Sequence, residues 1–260
     1  MGSFYPRARM SSLNRMLSVL DVFTSERPVW EADAIVEALG CSTPTGYRYL
    51  KELMQAGLLQ RLNGGYYALG PRIALLDYII RTTDPLLGLS IPLMRELVEK
   101  TECRCVLSRM DGDFFLDLHH ERPERDVQLN YGRGRPRPLF LGGAPKVIIA
   151  HYPPKKLRAL YDRHTAEISA AGLGEGFEDF QQAMQVIRRE GYYASSGELE
   201  AGISSLAVPV KFSSKENCAA LALVASTSRF ELSDRSKLLE LMRQTAQRIS
   251  AGVAEFSLQD

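Results

Sequence analysis

The 260-residue chain has little of what marks a membrane, secreted or disordered protein. No apolar run approaches the roughly 18 residues that a membrane span requires, so no membrane partner is expected. The opening Met1-Gly2-Ser3-Phe4-Tyr5-Pro6-Arg7 lacks the apolar stretch of a secretion signal. There are only four cysteines, too few to be needed as staples in a chain this long, so reduced thiols in a cytoplasm are expected. Charge of one sign is also missing. Lysine plus arginine number 32 and aspartate plus glutamate 31, a formal net charge of +1, which speaks against a uniformly basic nucleic-acid binder. With 45% hydrophobic residues the chain has ample material for a core, and disorder as its main state is excluded.

What is present is organised in two parts. Leu13, Met16, Leu17, Leu20 and Phe23 repeat at helical spacing behind Ser11-Ser12, with Pro28 as the stop. A second helix from about Glu31 places Ala34, Ile35, Ala38 and Leu39 on one face. Gly40 follows, where a residue with positive φ is wanted. A third helix begins at once: Ser42 or Thr43 caps it, Pro44 is tolerated in its first turn, and Leu50, Leu53 and Met54 face inward. Two helices joined by so short a turn form a helix-turn-helix, whose second helix enters the DNA major groove. The outward face of the third helix is read as Thr43, Thr45, Arg48 and Lys51, with Tyr47 and Tyr49 beside them. Arg48 is suited to bidentate contact with guanine. Asn63-Gly64-Gly65 between Leu58–Arg61 and Tyr66–Leu69 is a hairpin signal, and a hairpin after a recognition helix is a wing on which Arg61 can meet the DNA backbone.

Dividing the charge sharpens this reading. Residues 1–81 hold nine basic and seven acidic side chains, and Arg48, Lys51, Arg61 and Arg72 face only Glu52 in the region of the third helix and wing. A winged helix also serves as a protein-docking module, so a metabolite-binding or enzymatic protein that docks through it is the competing class.

Beyond the wing, Gly70-Pro71 opens a helix with Ile73, Leu76, Tyr78, Ile79 and Ile80, which has more apolar surface than a small domain can cover. Asp84-Pro85 is a boundary. The expected division is 1–70 for the winged helix-turn-helix, 71–84 for a linker helix and 85–260 for a second domain. In the latter a helix reaches about Thr101. Strand-like runs follow at Cys103–Met110, Phe114–His120 and Asp126–Tyr131, with Asp111-Gly112 as the first turn. Helices are expected near 144–151, 155–164 and 178–190. Strands resume at Tyr192–Ala194, Ser205–Phe212 and Cys218–Ser226, and a last helix follows Ser233. This is an α+β plan, an antiparallel sheet flanked by helices.

Three stretches carry a family resemblance. They are Ser42-Thr43-Pro44-Thr45-Gly46-Tyr47-Arg48-Tyr49-Leu50, then Gln55-Ala56-Gly57-Leu58-Leu59, then Tyr67-Ala68-Leu69-Gly70-Pro71-Arg72. On these the chain resembles the IclR family of bacterial transcription regulators, and the likeness continues to about Val253. It implies a DNA-binding module joined to a GAF-like sensor domain that binds a small metabolite, in a homodimer or tetramer acting on a palindromic operator of a catabolic operon. No cofactor and no catalytic residue is implied. The DNA-contacting set is expected at Ser42, Thr43, Thr45, Gly46, Tyr47, Arg48, Lys51, Arg61 and Gly64.

The loop Leu141-Gly142-Gly143-Ala144-Pro145-Lys146 feeds a helix whose N-terminus favours an anion such as an effector carboxylate. Gly191-Tyr192 and Gly197-Glu198, followed by Ala207-Val208-Pro209-Val210, match the family's second sensor motif. By family position Gly143, Ala144, Ser195, Ile203 and Ser205 meet the effector. Ala222 and Val224 stand where members that bind small polar acids have serine, so a larger, flatter acid such as an aromatic carboxylate is favoured. Met110, Phe114 and Phe140 are candidate walls, and Ser108 or Arg109 a polar contact. One arginine of the Arg133-Gly134-Arg135-Pro136-Arg137-Pro138 run can close over an anion. Other chemistry is weak. Cys103-x-Cys105 has no second pair, so no metal site is expected from it with His119 or His151. The Gly142–Lys146 loop fails the P-loop spacing, and no Ser–His–Asp arrangement is suggested.

Overall fold

Ser11 starts the first helix by accepting the Asn14 N–H on its hydroxyl. In the computed structural model, which describes residues 11–112, 114–135, 137–212 and 218–256, this helix (α1, Ser12–Leu17) is shorter than its periodicity suggested. Ser18 ends it, donating its hydroxyl to the Arg15 carbonyl. The chain continues as a 3-10 turn over Leu20–Val22, which still delivers Val19 and Phe23 to the core. Pro28 therefore does not stop this helix.

The strand β1 (Trp30–Glu31) has no counterpart in the sequence reading; it leads into α2 (Ala32–Leu39). Gly40 ends α2 at φ 59°, as its position required. The buried face of α2 is Ile35 and Val36, while Ala38 is exposed, because the larger branched side chain gains more by burial. Next come α3 (Thr43–Gln55), β2 (Leu59–Arg61), a 3-10 turn over Asn63–Gly65, and β3 (Tyr66–Leu69). The three strands form one antiparallel sheet in the order β1-β3-β2, so the wing has a third strand. Ile35, Leu50, Leu53, Leu59 and Tyr67 fill the core beneath it. The helix α4 (Pro71–Thr83) closes this unit, and the chain divides between Thr83 and Asp84.

In the second unit Asp84 caps α5 (Pro85–Thr101) by accepting the Leu86 N–H. The strands β4 (Arg104–Asp111) and β5 (Phe114–Glu121) form a hairpin. Then follow α6 (Gly143–Ile149), α7 (Pro154–Ala170), α8 (Phe177–Glu190), β6 (Tyr193–Ser196), β7 (Ile203–Lys211), β8 (Cys218–Ser226), a short α9 (Thr227–Leu232) and α10 (Arg235–Phe256). The sheet is antiparallel, in the order β5-β4-β8-β7-β6.

The alternating side chains of β8 explain its two faces. Leu221 and Leu223 pack toward α5 and α10 with Met94, Leu97, Met242 and Ile249. Ala220 and Ala222 face the other way, where their small size admits α6, all seven residues of which are buried. Residues 126–131, expected as a strand, form none. Their polar groups bind elsewhere: Arg104 donates to the Asp126 carboxylate and the Val127 carbonyl, and the Asn130 N–H donates to Glu200.

Candidate DNA-reading face and effector cavity

The third helix presents its exposed residues by period. Thr43, Tyr47, Arg48 and Lys51 are exposed, as are Ser42 before it and Arg61 and Gly64 on the wing; Thr45 is half-buried. Gly64 adopts φ 77°, the conformation that lets the wing turn. Two residues read as part of this face point inward. Gly46 is buried, and a Cβ on it would lie 2.3 Å from Val36 Cγ2, so the absent side chain lets α2 and α3 meet. Tyr49 is buried as well, its hydroxyl 2.9 Å from that of Ser12. The signal for both was available: Gly46, Tyr49, Leu50 and Leu53 follow the i, i+3, i+4, i+7 stripe of a buried helix face. Arg72 is likewise taken from the basic strip, since its guanidinium donates to the Ala56 carbonyl just beyond α3.

Sequence reasoning missed Asp33. Its carboxylate accepts from the Tyr47 hydroxyl at 3.1 Å, and this bond pushes the phenol's pKa up. The bond ties the orientation of an exposed ring to α2.

In the sensor unit a cavity of about 440 Å³, including its open mouth, lies against the face of the sheet that carries α6. Val106, Leu129, Ile203 and Val224 supply its apolar lining, and Ser195, Ser205, His120, Asp117 and Arg137 its polar lining. Ser195, Ser205 and Val224 come together by register, since Ser195 pairs with Ser205 and Ser205 with Val224. The two serine hydroxyls are 2.7 Å apart.

Five expected residues lie elsewhere. Gly143 packs against β7, where a Cβ would lie 3.1 Å from that of Ala207, and Ala144 and Ala222 belong to the core. Met110 lines a different hollow, with Arg109, Ile148 and Cys218. Ser108 is buried behind the cavity and donates to Asp117 Oδ1 at 2.7 Å. The aromatic walls also fail. Phe140 is in the core, tilted against His164 and edge-on to Phe180, and Phe114 sits at the hairpin tip opposite Asp111.

The α6 N-terminus, expected to hold an effector carboxylate, holds one from the chain itself. Glu198 accepts from the Gly142 N–H at 2.9 Å and from Lys146 Nζ at 2.6 Å. Tyr193 joins them: its hydroxyl donates to Glu198 and accepts from Lys146. Lys146 is 2% exposed, and a buried ammonium needs such a partner.

Asp117 and His120 were missed because plain alternation puts them on opposite faces of a strand. A register shift in the hairpin reverses this: Ser108 pairs with Asp117 but Leu107 with His119, so Leu118 is skipped. The bulge brings His120 Nε2 to 3.0 Å from Asp117 Oδ2, and Arg137 Nη1 reaches both Asp117 oxygens. Burial pushes the Asp117 carboxyl up, but the His120 hydrogen bond, Arg137 and Ser108 outweigh it and hold it below the usual carboxylate range. On the other face of the sheet, Cys103 and Cys105 are buried core residues, and burial pushes the Cys105 thiol up. Among the described residues, no three of His, Cys, Asp and Glu are grouped to hold a metal ion.

A winged helix-turn-helix joined to a domain with a cavity open to solvent at its mouth defines a ligand-responsive type of regulator. Comparison with known proteins agrees. Residues 12–63 match the IclR helix-turn-helix domain, and residues 82–251 match the bacterial transcriptional regulator IclR C-terminal domain. The chain belongs to the IclR family of transcriptional regulators and is not an enzyme. It is 25% identical over 244 residues to the HTH-type transcriptional regulator XynR of Escherichia coli, covering 93% of this chain and 96% of that protein. It is 22% identical over 237 residues to the regulator KipR of Bacillus subtilis, covering 91% and 94%. Its fold matches an IclR homologue from Microbacterium hydrocarbonoxydans solved with 4-hydroxybenzoate, at a TM-score of 0.75 and 22% identity over 94% of this chain and 99% of that one.

Proposed function

We propose that the chain acts as a homodimer that reads a palindromic operator, placing two copies of α3 in successive major grooves about 34 Å apart. The observation that carries this is the exposed face of Tyr47, Arg48 and Lys51, flanked by Arg61 on the wing. Thr43 and Ser42 approach the phosphates at the helix start. The exposed apolar residues of α4, Leu75, Leu76, Tyr78, Ile79 and Ile80, support pairing of copies. The sensor cavity takes a small organic acid. The apolar lining of Val106, Leu129, Ile203 and Val224 favours an aromatic carboxylate over a short keto acid, and the 4-hydroxybenzoate complex of a structural neighbour points the same way. Bound effector shifts the population between DNA-competent and DNA-incompetent arrangements by no more than its differential affinity for them.

A gel shift on DNA upstream of the chain's own gene tests the reading. A salt-sensitive complex lost on Arg48→Ala is expected; an unchanged complex would overturn the assignment of α3.

A further inference from the structure

Three cations lie at or beside the cavity, Arg104 and Lys146 buried and Arg137 with 11% of its side chain exposed, and the first two are saturated. Arg104 donates through Nε and Nη2 to Asp126 and through Nη2 to the Val127 carbonyl, with Nη1 3.5 Å from His120 Nδ1. Lys146 is held by Glu198 and Tyr193. Arg137 differs. Its one donating nitrogen is Nη1, turned to Asp117. Nε is buried and has no acceptor among the described residues, and Nη2, 3.3 Å from the Cβ position of Gly142, has none either. A buried guanidinium donor without an acceptor is costly, so an acceptor is expected from outside the chain. Nε and Nη2 form one edge of the guanidinium fork, the edge that matches the two oxygens of a carboxylate. Nη1, outside that edge, is held by both Asp117 oxygens, and the Phe115 ring centroid lies 5.1 Å from the guanidinium carbon.

We propose that the Nε–Nη2 edge of Arg137 receives the effector's carboxylate and that the cavity selects monocarboxylic acids. This rests on the cavity being the effector site. The charge inventory sets the class. One cation has unused donors, but Asp117 already balances its charge and Glu200 also lines the cavity, so the free donors can hold one carboxylate while a second negative charge, as on a phosphate dianion, is repelled. At the α6 N-terminus the Gly142 N–H and Lys146 are already occupied by Glu198, so neither is left for the ligand.

The test uses the full chain, thermal shift and calorimetry. The probes are benzoate, 4-hydroxybenzoate, hexanoate and pyruvate, each beside its amide, with phenyl phosphate as the dianion. At least one acid is expected to stabilise the wild type while its amide does not. Arg137→Met should weaken that acid about tenfold or more, and Arg137→Lys should restore only part of it, since an ammonium cannot make the fork. The double variant Arg137→Met/Asp117→Asn removes both charges and gives the same loss should the single variant fail to fold. An acid that binds wild type and Arg137→Met alike would overturn the role of Arg137 and leave the cavity reading intact. Amides binding as tightly as acids, or phenyl phosphate binding more tightly than benzoate, would overturn the ligand class. Binding of none of the probes would overturn the cavity reading itself.

Discussion

The two units treat their charged side chains in opposite ways. In the DNA-reading unit Arg48, Lys51 and Arg61 stand in solvent, and the small core beneath them is built from Ile35, Leu50, Leu53 and Tyr67. In the sensor unit Lys146, Arg104, Asp117 and His120 are withdrawn from water and answered by partners within the chain. Exposed charge contributes little to folding and remains available to a polyanion. Buried charge is tied to the fold, because removing one partner strands the other. Substitutions of charged residues should therefore separate: in the sensor they alter stability, in the reader they alter DNA affinity.

The largest effect should come from Lys146→Met, which leaves Glu198 without its cation at the α6 N-terminus. A loss of about 3 kcal/mol is expected in thermal or denaturant unfolding of the sensor unit, largely restored by adding Glu198→Gln. A loss that the second change does not restore would mean that Lys146 acts through packing alone. In the reader the comparable weak point carries no charge. Gly46→Ala would place a methyl group against Val36 and cost about 1–3 kcal/mol, visible as earlier melting of the N-terminal unit. Arg48→Ala should leave melting unchanged but weaken operator binding by about 1–3 kcal/mol in a titration. A shift in melting with no change in DNA affinity would break the contrast between the units.

A smaller effect concerns pH. The folded Asp117 carboxyl lies below its unfolded value of about 3.9, so its contribution is fully present above that pH and is lost as pH falls through the folded value. Acid unfolding of Asp117→Asn should show a shallower limb below about pH 4 than the wild type; an identical limb would remove Asp117 from the account. Smallest of all, Lys51→Ala should reduce the slope of log affinity against log salt by about 1 without changing which sequence is preferred.

Much of the reader was legible because its signals are local. Gly40 marks the end of α2, Ser42 and Pro44 open α3, and Asn63-Gly64-Gly65 makes the wing. The error at Gly46 and Tyr49 came from taking every polar or small residue on α3 as outward, when the helical stripe already claimed these two. The sensor's strands were legible for the same local reasons, except at 126–131. There the alternation of Val127, Leu129 and Tyr131 is real, but the polar groups between them bind Arg104 and Glu200 instead of a strand. Its cavity was only partly legible. Ser195, Ile203, Ser205 and Val224, which the family resemblance had singled out, line it, and so does Arg137 of the arginine run. Asp117 and His120 were hidden by a bulge, and Glu198 by a contact that spans more than 50 positions. Such pairings depend on how distant segments dock, which no periodicity encodes.

The skipped Leu118 sets the phase of everything after it in β5. Were Leu118 paired in the ladder as in a regular strand, Asp117, His120 and Arg137 would all remain in the chain, but His120 would fall on the opposite side of the sheet from Asp117. The polar cluster would dissolve with none of its members replaced. In this hairpin pairing register, as much as residue identity, encodes the site.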